Sequence, residues 1–131
     1  MSGLIEKAIE LIERDNLRSK ARTNEVVAKR QYLYYRLRKN GMILRAIAEL
    51  FNKHHATIIH GIKTYNNRVD TRDKIMFLHL KEYKELLENL EEEHYNLRKD
   101  VLSAVTQQDL KRIQKRVELN LYPQLYYEYK N

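Results

Sequence analysis

Apolar positions recur along this chain at spacings of three and four, and they divide it into helices from the first turn onward. Leu4, Ile5, Ala8, Ile9, Leu11 and Ile12 predict a short amphipathic helix ending near Asn16. The stretch "LRSKARTNE" then loses all periodicity and turns polar and basic, so Arg18 to Thr23 reads as a loop, with Thr23 or Asn24 as the N-cap of the next helix. Val26, Val27, Leu33, Tyr34 and Leu37 predict a long helix from Glu25 to Lys39, and Asn40-Gly41 supplies the left-handed residue that stops it. Ile43, Leu44, Ile47, Ala48 and Phe51 give a helix of about two and a half turns, broken at Asn52-Lys53. The helix after that break turns Ile58, Ile59, Ile62 and Tyr65 toward a core and leaves His55, Ala56, Thr57, His60 and Lys63 on the opposite side or its edges. Two short helices across a tight break, after a longer one, have the layout of a helix-turn-helix, whose second helix enters the DNA major groove.

Beyond residue 71 the period changes. Met76, Leu80, Tyr83, Leu87, Leu90, His94, Leu97 and Val101 alternate spacings of four and three, which predicts one long helix over 72–102 with a narrow heptad seam. Met76, Leu80, Tyr83, Leu87, Leu90 and Leu97 are the candidate association residues. Something must cover them: the N-terminal helix, a folded-back C-terminal helix, or a second copy of the chain in a coiled coil. Thr106 and Asp109 form a capping-box pattern ahead of Leu110, Ile113, Val117 and Leu121, so a second helix is expected over 107–121, ended by Pro123. Folded back, it makes a helical hairpin with "KRIQKR" facing the acidic run near residue 90. The tail "LYPQLYYEYKN" suits packing or a partner surface, with stacking on nucleic acid as the alternative. Three segments result: an N-terminal helix (1–16), a helix-turn-helix region (17–70) and a helical extension (71–131).

Composition narrows the class. Three glycines and one proline in 131 residues leave little room for hairpins, and the expected fold class is all-α. With no cysteine, disulfides and thiolate metal sites are excluded. No apolar run approaches a membrane span, and the opening residues read as an amphipathic helix rather than a signal peptide. The expectation is a soluble cytoplasmic protein of a bacterial or phage-infected bacterial cell, with no membrane partner. The formal net charge of +7 is unevenly spread, since Arg14 to Arg68 carries roughly +10 while Glu82 to Asp100 reverses the sign. A basic half is what a polyanion-binding surface requires, because Lys and Arg replace condensed counterions along a phosphate backbone; a solvated basic face is the plainer alternative.

The segment "NKHHATIIHGIKTY" concentrates the candidate chemistry. His54 and His55 are neighbours, His60 lies five residues beyond His55, and no carboxylate or thiol stands among them, so the spacing is poor for a metal. A general base would need a pocket and an orienting carboxylate, and neither is nominated. At the front of a recognition helix, imidazole can instead bond a base edge or phosphate, while Thr57 offers a methyl group to thymine.

The run "VVAKRQYLYYRLRKNGMILRAIAELFNKHHATIIHGIKTY", with "SKARTNE" before it, resembles the C-terminal DNA-binding domain (domain IV) of the bacterial replication initiator DnaA over roughly residues 17–68. That domain has a Trp-repressor-like helix-turn-helix, a basic loop ahead of it and a signature similar to GRDHTTVLHA. His55, Thr57 and His60 fall on the signature's His, Thr and His, and Ile58 and Ile59 on its apolar pair. Arg30 and Gln31 match an Arg-Gln pair that opens the family's long helix, and Ser19, Lys20 and Arg22 lie along its basic loop. The resemblance implies Arg22 in the minor groove, Arg30, His55 and Thr57 at major-groove base edges, and Gln31, Lys53 and Lys63 near phosphates. Three positions depart from it: His54 replaces an Asp that accepts from a cytosine amino group, Ala56 a Thr, and Lys53 an Arg. Duplex binding is therefore expected without faithful reading of the family's usual box. No GxxxxGK[ST] phosphate loop is present, so nothing resembles the initiator's ATPase. The expected function is a non-enzymatic regulator of replication or transcription that binds double-stranded DNA, with no catalytic residue, cofactor, metal or small-molecule substrate. The alternative is an adaptor whose heptad helix binds a replication partner or itself, with the helix-turn-helix as scaffold.

Overall fold

The computed structural model describes residues 3–88, 90, 97–118 and 122, and all regular structure among them is helical. The helices are α1 (Leu4–Arg14), α2 (Asn24–Lys39), α3 (Leu44–Phe51), α4 (His55–Asp70), α5 (Lys74–Leu87), α6 (Leu97–Ser103) and α7 (Gln107–Glu118). They fall into two compact units, residues 1–93 and 94–131.

In the first unit α2 is the central element, contacting α1, α3, α4 and α5. Its start is set by Thr23, whose hydroxyl accepts from the Val26 amide, and by Glu25 in the first turn; Arg36, Arg38 and Lys39 complement the carbonyl end. Because neighbours surround it, its buried residues do not form one stripe: Ala28, Tyr32, Leu33, Tyr34 and Leu37 are all core. The expected face is thus incomplete, and Val26 and Val27 are only half-buried. α1 buries Leu4, Ile5, Ala8, Leu11 and Ile12. It ends where Asn16 turns left-handed (φ 50°) and the buried Leu17 donates its amide back to the Ile12 carbonyl.

α4 crosses α2 closely because residue 61 is glycine. A Cβ there would lie 2.6 Å from Cδ2 of the buried Tyr34, well inside contact distance. Tyr65 of the same helix stacks obliquely against Tyr35, ring centroids 4.9 Å apart, and Tyr34 meets Phe51 of α3 edge-on at 4.7 Å.

The heptad helix requires correction. α5 stops at Leu87, Glu88 is in a turn and the backbone bends at Leu90, so one continuous helix over 72–102 is not formed; 89 and 91–96 lie outside the described residues. The first half of the seam is internal: Met76, Leu80, Tyr83 and Leu87 are buried as α5 packs on α2. Leu90 and Leu97 are half-buried. Of the possible covers, the chain itself supplies one for these four residues, but it is α2. The unit extends to residue 93, past the boundary expected at 70. Polar contacts pin the docked helix. Tyr83 Oη donates to Asp15, Arg14 pairs with both Asp15 and Glu82, and Arg36 Nη2 donates to the Leu87 carbonyl at 3.1 Å, meeting the last turn of α5 with a cation.

The second unit is a hairpin of α6 and α7. Its turn is the expected capping box: the Asp109 amide donates to Thr106 Oγ1 at 3.1 Å and the Thr106 amide to Asp109 Oδ2 at 3.1 Å. Arg116 pairs with Asp100 at 2.9 Å, and Tyr122 Oη donates to the same carboxylate at 2.7 Å. The Leu121 end of the second helix, Pro123, the rest of the tyrosine-rich tail and most of the acidic run facing "KRIQKR" lie outside the described residues.

Candidate nucleic-acid interface

The basic loop, residues 15–23, has no periodic apolar residues to hold it, and the structure shows what replaces them. Arg30, from the first turns of α2, is buried and donates to three loop carbonyls: Leu17 at 2.8 Å, Ala21 at 2.6 Å and Ser19. Arg18 Nε donates to the Leu50 carbonyl at 2.7 Å, and Lys53 Nζ to the Ser19 carbonyl at 3.2 Å. Three cations thus strap the loop to α2, α3 and the turn. Arg30, expected at a major-groove base edge, is buried and spends donors of all three guanidinium nitrogens on the loop, while still lining the cleft beside it. Arg18 is absent from the candidates that the sequence nominates. No periodicity marks an arginine that bonds carbonyls distant in sequence.

With the carbonyls turned inward to these straps, Lys20 and Arg22 are exposed. Between the loop, α2 and α4 lies a cleft of about 400 Å³ lined by Arg22, Arg30, Gln31, Lys53, Thr57 and His60, with Tyr34 and Gly61 at its base. No carboxylate lines it. Burial first, and then the neighbouring charges of Arg30, Arg22 and Lys20, hold the Lys53 ammonium below the usual lysine range. Gln31 Oε1 is buried without a hydrogen-bond partner, an acceptor at the wall of the cleft.

The turn between α3 and α4 is made by Asn52, left-handed at φ 53°, whose amide bonds back to α3. The Lys53 amide donates to the Ala48 carbonyl at 2.9 Å, closing the turn. His54 is extended and caps α4: its Nδ1 accepts from the Ala56 amide at 3.2 Å. Its ring lies against His55, centroids 4.4 Å apart and 33° between planes. His54 is exposed at the start of α4, and His55, Thr57, His60 and Lys63 lie exposed along its outer side, whereas Ile58 and Tyr65 reach the core and Ile59 and Ile62 are half-buried. The structure therefore brings Arg22, Gln31, Lys53, Thr57 and His60 around one cleft, and leaves Lys20, His54, His55 and Lys63 outside its lining. Among the described residues no group of three His, Asp or Glu side chains is placed to hold a metal ion, and no helix is long and apolar enough to cross a membrane.

Residues 10–64 match the family model described as the bacterial DnaA protein helix-turn-helix. No curated protein and no solved structure matches the chain. The match starts inside α1 and ends inside α4, so it spans the strapped loop, α2 and the α3–α4 pair, leaving α5 and the second unit unmatched.

Proposed function

Starting from residues 10–64 as a DnaA-type helix-turn-helix, a DNA-binding module, we propose that this chain binds double-stranded DNA stoichiometrically to regulate replication or transcription. One observation carries the reading: a carboxylate-free cleft between a preorganised basic loop and the exposed front of α4. In it, α4 enters the major groove with His54, His55 and Thr57 at base edges. Lys53, Lys63 and Lys20 meet phosphates, Gln31 and His60 line the approach, and Arg22 extends from the loop toward the minor groove. Arg30 acts indirectly, holding the loop that presents Arg22.

The test is fluorescence anisotropy of a labelled random-sequence duplex across a salt series, with single-stranded DNA and a DnaA-box duplex as competitors. The expected result is salt-sensitive binding that a duplex competes better than a single strand. Absence of duplex binding at low salt sinks the proposal.

A second reading concerns the other unit. Val101, Leu102, Val105 and Leu110 are exposed there, Leu102 at 75% and Val105 at 89%. These favour association with a protein partner or a second copy through α6 and α7, the adaptor role, in place of the seam buried on α2. Sedimentation of the whole chain as a monomer removes the second-copy form.

A further inference from the structure

Gln31 is only 8% exposed, and its Oε1 has no hydrogen-bond partner among the described residues. The residue stands in the wall of the cleft between the basic loop, α2 and α4, with that oxygen closed to bulk water. A buried acceptor left unpaired costs folding free energy, so its retention calls for a donor from outside the fold. A DNA phosphate does not supply one, because its free oxygens only accept.

The rest of the cleft narrows the chemistry. Arg22 and Lys53 bring two cations with the charge of Arg30 behind them, no carboxylate offsets them, and Thr57 and His60 add a hydroxyl and an imidazole. That is a setting for a dianion, which a phosphate monoester is at neutral pH and a single carboxylate is not. Its volume of about 400 Å³ suits a small-molecule ligand, and Val27 and Tyr34 give it an apolar side. We propose that the cleft is a binding site for a small phosphate monoester carrying its own neutral N–H or O–H donor, with the phosphate on Arg22 and Lys53 and the donor on Gln31 Oε1. The side-chain amide meets the ligand by turning about its last torsion, a soft one. Nucleoside monophosphates, through base N–H groups, and sugar phosphates, through hydroxyls, share this chemistry. The site is independent of duplex binding, but its consequence rests on that reading: Arg22, Lys53 and Thr57 cannot serve both ligands at once, so an occupied cleft excludes DNA.

Amide chemical-shift titration of the whole chain with adenosine monophosphate, ribose phosphate and inorganic phosphate tests the site. Shifts are expected at Gln31, Lys53 and Thr57, with an ester bound about tenfold tighter than inorganic phosphate, the scale of one hydrogen bond to a buried acceptor. A tighter fit of adenosine monophosphate than of ribose phosphate identifies a base N–H as the donor, and equal affinity identifies a hydroxyl. Gln31→Met removes the acceptor at similar volume. It is expected to abolish the preference over inorganic phosphate while leaving the urea midpoint unchanged or raised, since no unpaired atom is then buried. Arg22→Ala, at an exposed position, is expected to weaken the esters about tenfold with unaltered helicity. Equal binding of esters and inorganic phosphate overturns the inference, as does a preference that survives Gln31→Met. A lowered midpoint in that variant also overturns it, by showing the amide to be bonded within the fold. Saturating ester is expected to weaken duplex binding in anisotropy, and an unchanged duplex affinity overturns the exclusion. Duplex binding without ester binding sinks the site and leaves the duplex reading standing; ester binding without duplex binding does the reverse.

Discussion

Arg30 makes the loop by committing its guanidinium to three carbonyls, and that fixes what its removal does. Arg30→Ala leaves buried acceptors unmet and is expected to destabilise the first unit by about 3 kcal/mol in urea unfolding, because each abandoned buried acceptor costs roughly 1–3 kcal/mol. DNA affinity then falls through loss of loop order. Gly61→Ala drives a methyl group into the Tyr34 ring and is expected to cost about 1–3 kcal/mol, again read by unfolding. Asp15 gives a pH dependence. The Arg14 guanidinium, then Tyr83, Lys29 and Arg14's charge, outweigh burial and hold its carboxyl below the ordinary aspartate value of 3.8. A depressed folded-state pKa contributes stability that is complete above that value and is lost as pH falls through the folded one. Thermal unfolding should therefore show the first unit weakening on acidification below about pH 4. Asp15→Asn should flatten that part of the profile, and a profile unchanged by it would contradict the Asp15 cluster.

At the scale of elements, the heptad pattern of α5 was legible and its meaning was not. A repeat of Met76, Leu80, Tyr83 and Leu87 describes a stripe to be covered, and a seam against α2 satisfies it as well as a seam against a second chain. Leu80→Ala is accordingly expected to cost roughly 2–5 kcal/mol in unfolding free energy while leaving the sedimentation coefficient of the folded protein unchanged. A shift in oligomeric state without destabilisation would restore the coiled-coil reading. The reverse holds for α2. Surrounded by four helices, it carries core residues on most of its circumference, so a search for one apolar face finds Leu33, Tyr34 and Leu37 and passes over Ala28 and Tyr32. The helix-turn-helix itself was the most legible part, because Asn40-Gly41 and Asn52-Lys53 mark its ends by backbone chemistry that needs no tertiary information. Arg30 and Arg18 were illegible for the opposite reason: the acceptors that bury them are backbone atoms, which no sequence pattern displays.

For the whole molecule, the division into two units separates two properties that can be measured independently. On the proposed reading, binding resides in the first unit, with Lys20, Lys53 and Lys63 at phosphates and Arg22 adding its charge from the minor-groove side. Four such contacts give a slope of about −3.6 for log affinity against log salt. Arg22→Ala should lower the slope by about one, whereas a change confined to α7, such as Leu110→Ala, should leave both slope and affinity alone. An unaltered slope in Arg22→Ala would remove the loop from the interface.

The straps across the loop bear on how the protein withstands its surroundings. Arg18, Arg30 and Lys53 hold it through carbonyl oxygens, and a charge meeting a buried or part-buried dipole at 2.6–3.2 Å is less exposed to mobile ions than a pair of surface charges. Salt that strips the protein from a polyanion should therefore leave the loop assembled. If the proposed duplex binding holds, a chain released by high ionic strength is expected to keep its binding shape and, on dilution, to rebind without refolding.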